Sequence, residues 1–126
     1  MDTSVIVFAV GKPHPLRDPA QKFFLDAQQR NLSLAVSAEV LQELLHVYLP
    51  ADRVSALDSA FDLVERVIET VWSLDAEDVR LARNLHPKHP RLSSRDLVHL
   101  ACCQRRNVRK AKTFDKALAK VFASEL

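Results

Sequence analysis

No apolar run in this chain exceeds a few residues, which excludes a helix able to cross a bilayer, since that needs about 20. The N-terminus lacks a basic segment followed by a long apolar stretch, so no secretory signal peptide is expected. Cysteine is scarce. Cys102 and Cys103 stand side by side, match no zinc-ligand spacing and read as two small, half-buried apolar side chains of one helix. A reducing, cytoplasmic setting follows as the expectation. Glycine is scarcer still: Gly11 is the only one, and with Pro13 and Pro15 it marks a loop. No repeat, low-complexity tract or linker divides the sequence, and 126 residues suffice for a real core, so residues 1–126 are expected to form one domain.

What is present is ordinary in amount and unusual in placement. Hydrophobic residues make up 48% and charged residues 27%, as in a globular protein. The net charge of +2 conceals two halves of opposite sign. Residues 1–79 carry six basic and thirteen acidic side chains, whereas residues 80–120 carry twelve basic and only two acidic ones, Asp96 and Asp115. A segment that basic suits phosphates, although a charge run often marks only a solvated face. Two isolated acids within it gain nothing unless they hold something cationic. Acids in a basic surrounding are the pattern of a metal-dependent enzyme acting on a polyanion.

The order of elements reads as α/β. Val5–Val10 is a continuous apolar run rich in β-branched residues, as in a strand buried on both faces of a parallel sheet. Asp18 and Pro19 read as the N-cap and first residue of a helix running to about residue 31. Residues 32–36 suggest a second strand, with Ser37 capping a helix to about residue 49. Residues 51–70 form a long amphipathic helix, and residues 71–73 a short strand. Asp75 caps a helix to about residue 85, where the acids Asp75, Glu77 and Asp78 suit the helix dipole. Ser93 opens a helix to about residue 107, residues 108–113 suggest a last strand, and Asp115 starts a final helix. Alternating strands and helices predict a parallel β-sheet sandwiched between α-helices. In such sheets ligands bind beyond the carboxyl ends of the strands, where the following helices begin.

Four carboxylates stand at such places: Asp2, Glu43, Asp96 and Asp115. Each has a plain structural alternative. Ser93-x-x-Asp96 also fits a capping box, Asp115 an N-cap, and Asp2 a solvated terminal charge. Glu43 competes with Glu39 on one helix. At about 100° per residue, Glu43 lies about 40° beyond the edge of the apolar arc at Val47, and Glu39 about 80°. An acid at the edge of a buried face can reach a pocket over the sheet, so Glu43 is preferred. His99 follows Asp96 by three residues on the same helix face and could orient that carboxylate or act on the leaving group, although a structural or surface role is expected for it. His14, His86 and His89 lie in Pro-rich loops without carboxylates at ligand spacing, so no zinc site is expected.

Asp-Thr-Ser before a β-branched run, Val-Leu-Gln-Glu43, Leu-Ser-Ser-Arg-Asp96-Leu-Val-His and Thr-Phe-Asp115 together resemble a PIN-domain ribonuclease, in particular the VapC-like toxins of toxin–antitoxin pairs. The resemblance spans essentially the whole chain. It implies a parallel sheet flanked by helices and an acidic pocket holding Mg2+ or Mn2+. It also implies endonucleolytic cleavage of RNA and a homodimer silenced by a small antitoxin. Position by position, Asp2, Glu43, Asp96 and Asp115 match the four acids, and Ser4 and Thr113 match supporting hydroxyls. Arg95, Arg105, Arg106, Arg109 and Lys110 become candidate contacts to the RNA backbone or to antitoxin acids. A catalytically silent nucleic-acid-binding module of the same fold is the rival. A magnesium phosphohydrolase is a weaker one, since its usual pair of aspartates two residues apart after the first strand is missing. The family carries strand residues before its first acid, and only Met1 precedes Asp2 here. A few further N-terminal residues are therefore expected in the native protein.

Overall fold

A computed structural model describes residues 1–126. Seven helices surround a small parallel sheet: α1 (Thr3–Val10), α2 (Arg17–Gln29), β1 (Ala35–Ser37), α3 (Ala38–Tyr48), α4 (Val54–Val67), β2 (Thr70–Trp72), α5 (Ala76–Leu85), α6 (Ser94–Arg105) and α7 (Lys116–Glu125). β1 and β2 pair in parallel, Ala35 opposite Thr70 and Ser37 opposite Trp72. The α/β class with a parallel sheet is as expected. None of the helices is long and apolar enough to cross a membrane.

The main core joins Val5, Ile6 and Ala9 of α1 to Ala20 and Phe24 of α2, Val36 of β1, Val40, Leu44 and Tyr48 of α3, and Leu57, Ala60 and Val64 of α4. Two smaller clusters hold α6 against its neighbours, one through Ala82, Leu97 and Ala101, the other through Leu100, Leu118 and Phe122. α6 is therefore wedged between α5 and α7, with Leu100 and Ala101 fully buried. A helix clamped on both sides holds its side chains in fixed directions, which matters for the site at its N-terminal half.

Two expected strands are not strands. Val5–Val10 is helical: it is the body of α1. Its residues are apolar all round, and a short run of that kind carries no period to separate a buried strand from a buried helix. Asp2 decides the matter locally. Its backbone is extended and its carboxylate accepts from Thr3 N, the pattern of an N-cap. Packing against α2, α3 and α4 then outweighs the β preference of Val and Ile. Gly11 closes α1 because the chain turns tightly there: an added Cβ would stand 2.8 Å from Val7 O. Residues 108–113 likewise form no strand ladder. Their link to the sheet runs through the first two residues: Asp2 N donates to Lys112 O at 2.8 Å, and the Met1 ammonium donates to Ala35 O at 3.0 Å. Asp2 thus stands between β1 and Lys112 as the cap of a helix, not at the carboxyl end of a strand formed by the residues that follow it.

Other boundaries differ by a few residues. α2 starts at Arg17 with Leu16 as N-cap, so Asp18 and Pro19 lie inside the first turn, where a missing N–H costs nothing and a negative charge suits the dipole. Ser37 occupies the N-cap of α3 but makes no capping bond, and its buried hydroxyl has no partner. Asp75 caps α5 in a full capping box with Asp78. Both cysteines are free and buried, and burial pushes the Cys102 thiol up to about 11, so neither is poised for thiolate chemistry.

Candidate metal centre

Asp2 is 8% exposed and its two oxygens are held separately. Oδ1 accepts from Thr3 N at 2.8 Å, while Oδ2 accepts from Ser4 Oγ at 2.8 Å and Thr113 Oγ1 at 2.7 Å. Each hydroxyl is itself oriented by a backbone donor. Phe114 N donates to Ser4 Oγ at 3.2 Å, and Asp115 N donates to Thr113 Oγ1 at 3.0 Å. With those lone pairs occupied, both hydroxyl protons point at Asp2. Residues 111 apart in sequence are thereby tied to one carboxylate.

Glu43 comes to the same place from α3 through His99 of α6: Nε2 lies 2.6 Å from Glu43 Oε1 and 3.6 Å from Asp2 Oδ1. One donor atom from each of Asp2, Glu43 and His99 falls within a span of 4.8 Å. His99 is 5% exposed, and burial alone would lower its pKa. The hydrogen bond to Glu43 and the charges of Glu43, Asp2 and Asp96 outweigh this and hold the ring above its ordinary value. Glu39 does not reach the group; the Gln42 amide, in its hydrogen-bonded orientation, donates to the Glu39 carboxylate.

Asp96 and Asp115 border the group from two helix starts. Asp96 lies half-buried in the first turn of α6, its N–H donating to Ser93 Oγ at 3.1 Å. Burial pushes its carboxyl upward; contacts with Ser93 oppose the shift, and the charges of Asp2 and Asp115 add to it. Asp115 caps α7, accepting from Leu118 N at 3.0 Å, and is exposed. Asp115 is the N-cap that was weighed for it, Ser93 caps α6 through Asp96 N, and Asp96 lies near enough to Asp2 and Asp115 to feel their charges. No Lys or Arg forms an ion pair with any of them.

Two of the basic residues assigned to RNA or antitoxin contact are engaged elsewhere. Arg105 Nη1 lies 2.7 Å from Asp78 Oδ1, and Arg106 Nη1 lies 2.9 Å from the same atom. Arg106 also donates to Cys102 O and Ser73 O, and its guanidinium lies 5.1 Å from the centre of the Trp72 ring. These arginines compensate a fully buried acid and join α5 to α6. Arg95, Arg109 and Lys110 are exposed and without ion-pair partners. His99 is the reverse case: read as structural or peripheral, it lies at the centre of the acid group. Its only signal was the three-residue spacing after Asp96, which places both on one face of α6.

The donor set suits a hard divalent ion. Carboxylate oxygens predominate, one imidazole nitrogen joins them, and no Lys or Arg neutralises the group. Asp2, Glu43 and His99 stand close enough together to hold such an ion.

The family model for the PIN domain matches residues 1–122. Ribonuclease VapC23 of Mycobacterium tuberculosis is 51% identical over 124 residues, covering 98% of either chain. VapC ribonuclease Mb1869c of Mycobacterium bovis and Ribonuclease VapC13 of M. tuberculosis are each 31% identical over 116 residues, covering 92% of this chain and 88% of theirs. No solved structure matches.

Proposed function

The chain belongs to the PIN-domain family, and from that footing we propose that it is a metal-dependent endoribonuclease, the toxin of a toxin–antitoxin pair. The ribonuclease names of the relatives support the substrate. The carrying observation is the acid group around Asp2, which has no Lys or Arg partner and only His99 as a basic neighbour, although the chain supplies two arginines to the fully buried Asp78. Pairing one buried acid with two guanidiniums while leaving the converging acids without any supports a site kept for a cation.

Asp2, Glu43, Asp96 and Asp115 would hold Mg2+ or Mn2+, which when bound supplies an activated water and neutralises charge on the phosphoryl oxygens. The chain's own residues do the positioning. Ser4 and Thr113 fix the Asp2 carboxylate, and α6, clamped between α5 and α7, fixes the direction of Asp96. The helix starts at Asp96 and Asp115 present positive dipole ends toward an anionic substrate. Arg95, Arg109 and Lys110 are free to contact the RNA backbone. In this reading residues 1–126 act as one nuclease domain in the cytoplasm, as a homodimer, restrained by an antitoxin protein.

The test is cleavage of RNA by purified, antitoxin-free protein in Mg2+ or Mn2+, with chelator as control. Asp96→Asn keeps the shape and the backbone bond to Ser93 but removes the charge. Cleavage should fall at least ~100-fold and Mn2+ binding should weaken, with the protein still folded. Metal-independent cleavage, or wild-type cleavage by Asp96→Asn, would sink the proposal. RNA binding without cleavage would favour the catalytically silent module.

A further inference from the structure

We propose that His99 is a metal-binding residue in its own right, its Nε2 making the centre a mixed nitrogen–oxygen site that prefers Mn2+ to Mg2+. The inference rests on the metal site of the preceding section and names which ion that site selects. Nε2 lies 2.6 Å from Glu43 Oε1 and 3.6 Å from Asp2 Oδ1. Adjacent donors around an octahedral ion with bonds of about 2.1 Å stand about 3 Å apart, and the two separations from Nε2 lie on either side of that, with all three atoms within 4.8 Å of one another. The atom facing both carboxylates is a ring nitrogen: it donates a proton to Glu43 or offers its lone pair to a cation, and no other basic group competes for the place. His99 cannot swing away. It is 5% exposed, and its helix is held in position by Leu97, Leu100 and Ala101, which are buried against α5 and α7.

The chemical consequence is selectivity. Mg2+ takes oxygen donors and gives up its waters reluctantly, whereas imidazole suits transition-metal ions. A site of carboxylates alone would leave Mg2+, the more abundant hard ion, well served. Adding one nitrogen shifts the preference toward Mn2+. A His99 that merely oriented Glu43 would help both ions alike.

The experiment uses the full chain, loaded with Mn2+ and labelled with 15N-histidine. Pulsed EPR should show one directly coordinated imidazole nitrogen, absent in His99→Gln. Glutamine keeps a donor for Glu43 but no ring nitrogen, so the Mn2+ dissociation constant should rise about 10-fold, with that of Mg2+ changing less than about threefold. No nitrogen coupling in the wild type would overturn the inference, as would equal weakening of both ions in His99→Gln. Should the variant fail to fold, the wild-type spectrum still decides. Coupling absent while metal-dependent RNA cleavage persists rejects this inference alone. A wild-type protein that binds neither ion and leaves RNA intact rejects the proposed function with it.

Discussion

Asp78 is fully buried against the guanidinium groups of Arg105 and Arg106, whereas Asp2, 8% exposed, meets two hydroxyls, one backbone N–H and a histidine already shared with Glu43. Burial alone would raise the Asp78 carboxyl. Hydrogen bonds from Arg106, the Asp75 N–H and Arg105 hold it far below the ordinary carboxylate range. Around Asp2 no guanidinium balances the acids, and Asp96 is pushed upward by burial and by the charges of Asp2 and Asp115. One carboxylate is complete as it stands and joins α5 to α6. The other is positioned by neutral donors that fix its direction without cancelling its charge. That contrast separates an acid that serves the fold from one kept for a ligand.

The largest expected effect breaks the contrast on the Asp2 side. Asp2→Asn keeps the shape and one acceptor oxygen, enough for Thr3 N or for the two hydroxyls but not for both. It removes the charge, and RNA cleavage in saturating Mg2+ should fall at least ~100-fold, about 2.7 kcal/mol of barrier. Urea denaturation of the metal-free protein should show a loss of no more than about 1.5 kcal/mol, because relief of repulsion offsets part of the lost hydrogen bonding. A loss of stability matching the loss of cleavage would make Asp2 a structural acid after all.

Asp78→Asn should do the reverse. It leaves two guanidiniums beside a neutral amide, and the arginines are only partly exposed. The expected destabilisation is about 2–4 kcal/mol, read from the urea midpoint, while cleavage per folded molecule stays within about threefold of wild type. The pH dependence follows from the same ion pair. A carboxyl depressed on folding contributes stability that is complete above its unfolded pKa, about 3.9, and is lost as pH falls below that toward the depressed folded value. Acid titration of wild type against Asp78→Asn should therefore show the gap between them closing as pH falls below about 4. A gap that persists unchanged at low pH would mean the guanidiniums do not act through the Asp78 charge.

How much of this was legible beforehand depended on range. Glu43 was separable from Glu39 because a helix face is set by local angles. Asp96 and Asp115 were visible as acids at helix starts, a local signal too. The helix at Val5–Val10 was not, since six consecutive apolar residues have no period and their packing partners lie on α2, α3 and α4. His99 was underrated for a similar reason: Glu43 is 56 residues away in sequence. The ion pairs of Arg105 and Arg106 were hidden, because Asp78, 27 and 28 residues earlier, had been read only as a helix-start acid. Local chemistry marked the acids, and only the three-dimensional arrangement revealed which charges were already balanced.

The smallest effect sharpens the comparison on the basic side. If Arg105 and Arg106 belong to Asp78, they are poorly placed to release counterions from RNA, whereas Arg109 and Lys110 are exposed and without partners. Each phosphate neutralised on a single strand adds about 0.7 to the slope of log binding constant against log salt. With cleavage blocked by Asp96→Asn, the paired change Arg109→Ala, Lys110→Ala should lower that slope by about 1.4 and weaken binding alike across RNA sequences. Arg105→Ala, placed on the same background, should leave the slope within about 0.3 while lowering the urea midpoint, because it takes a partner from Asp78. A slope that responds to Arg105 and ignores Arg109 and Lys110 would mean that the Asp78 ion pair opens to meet RNA, and the division between a balanced and a reserved acid would then hold only for the free protein.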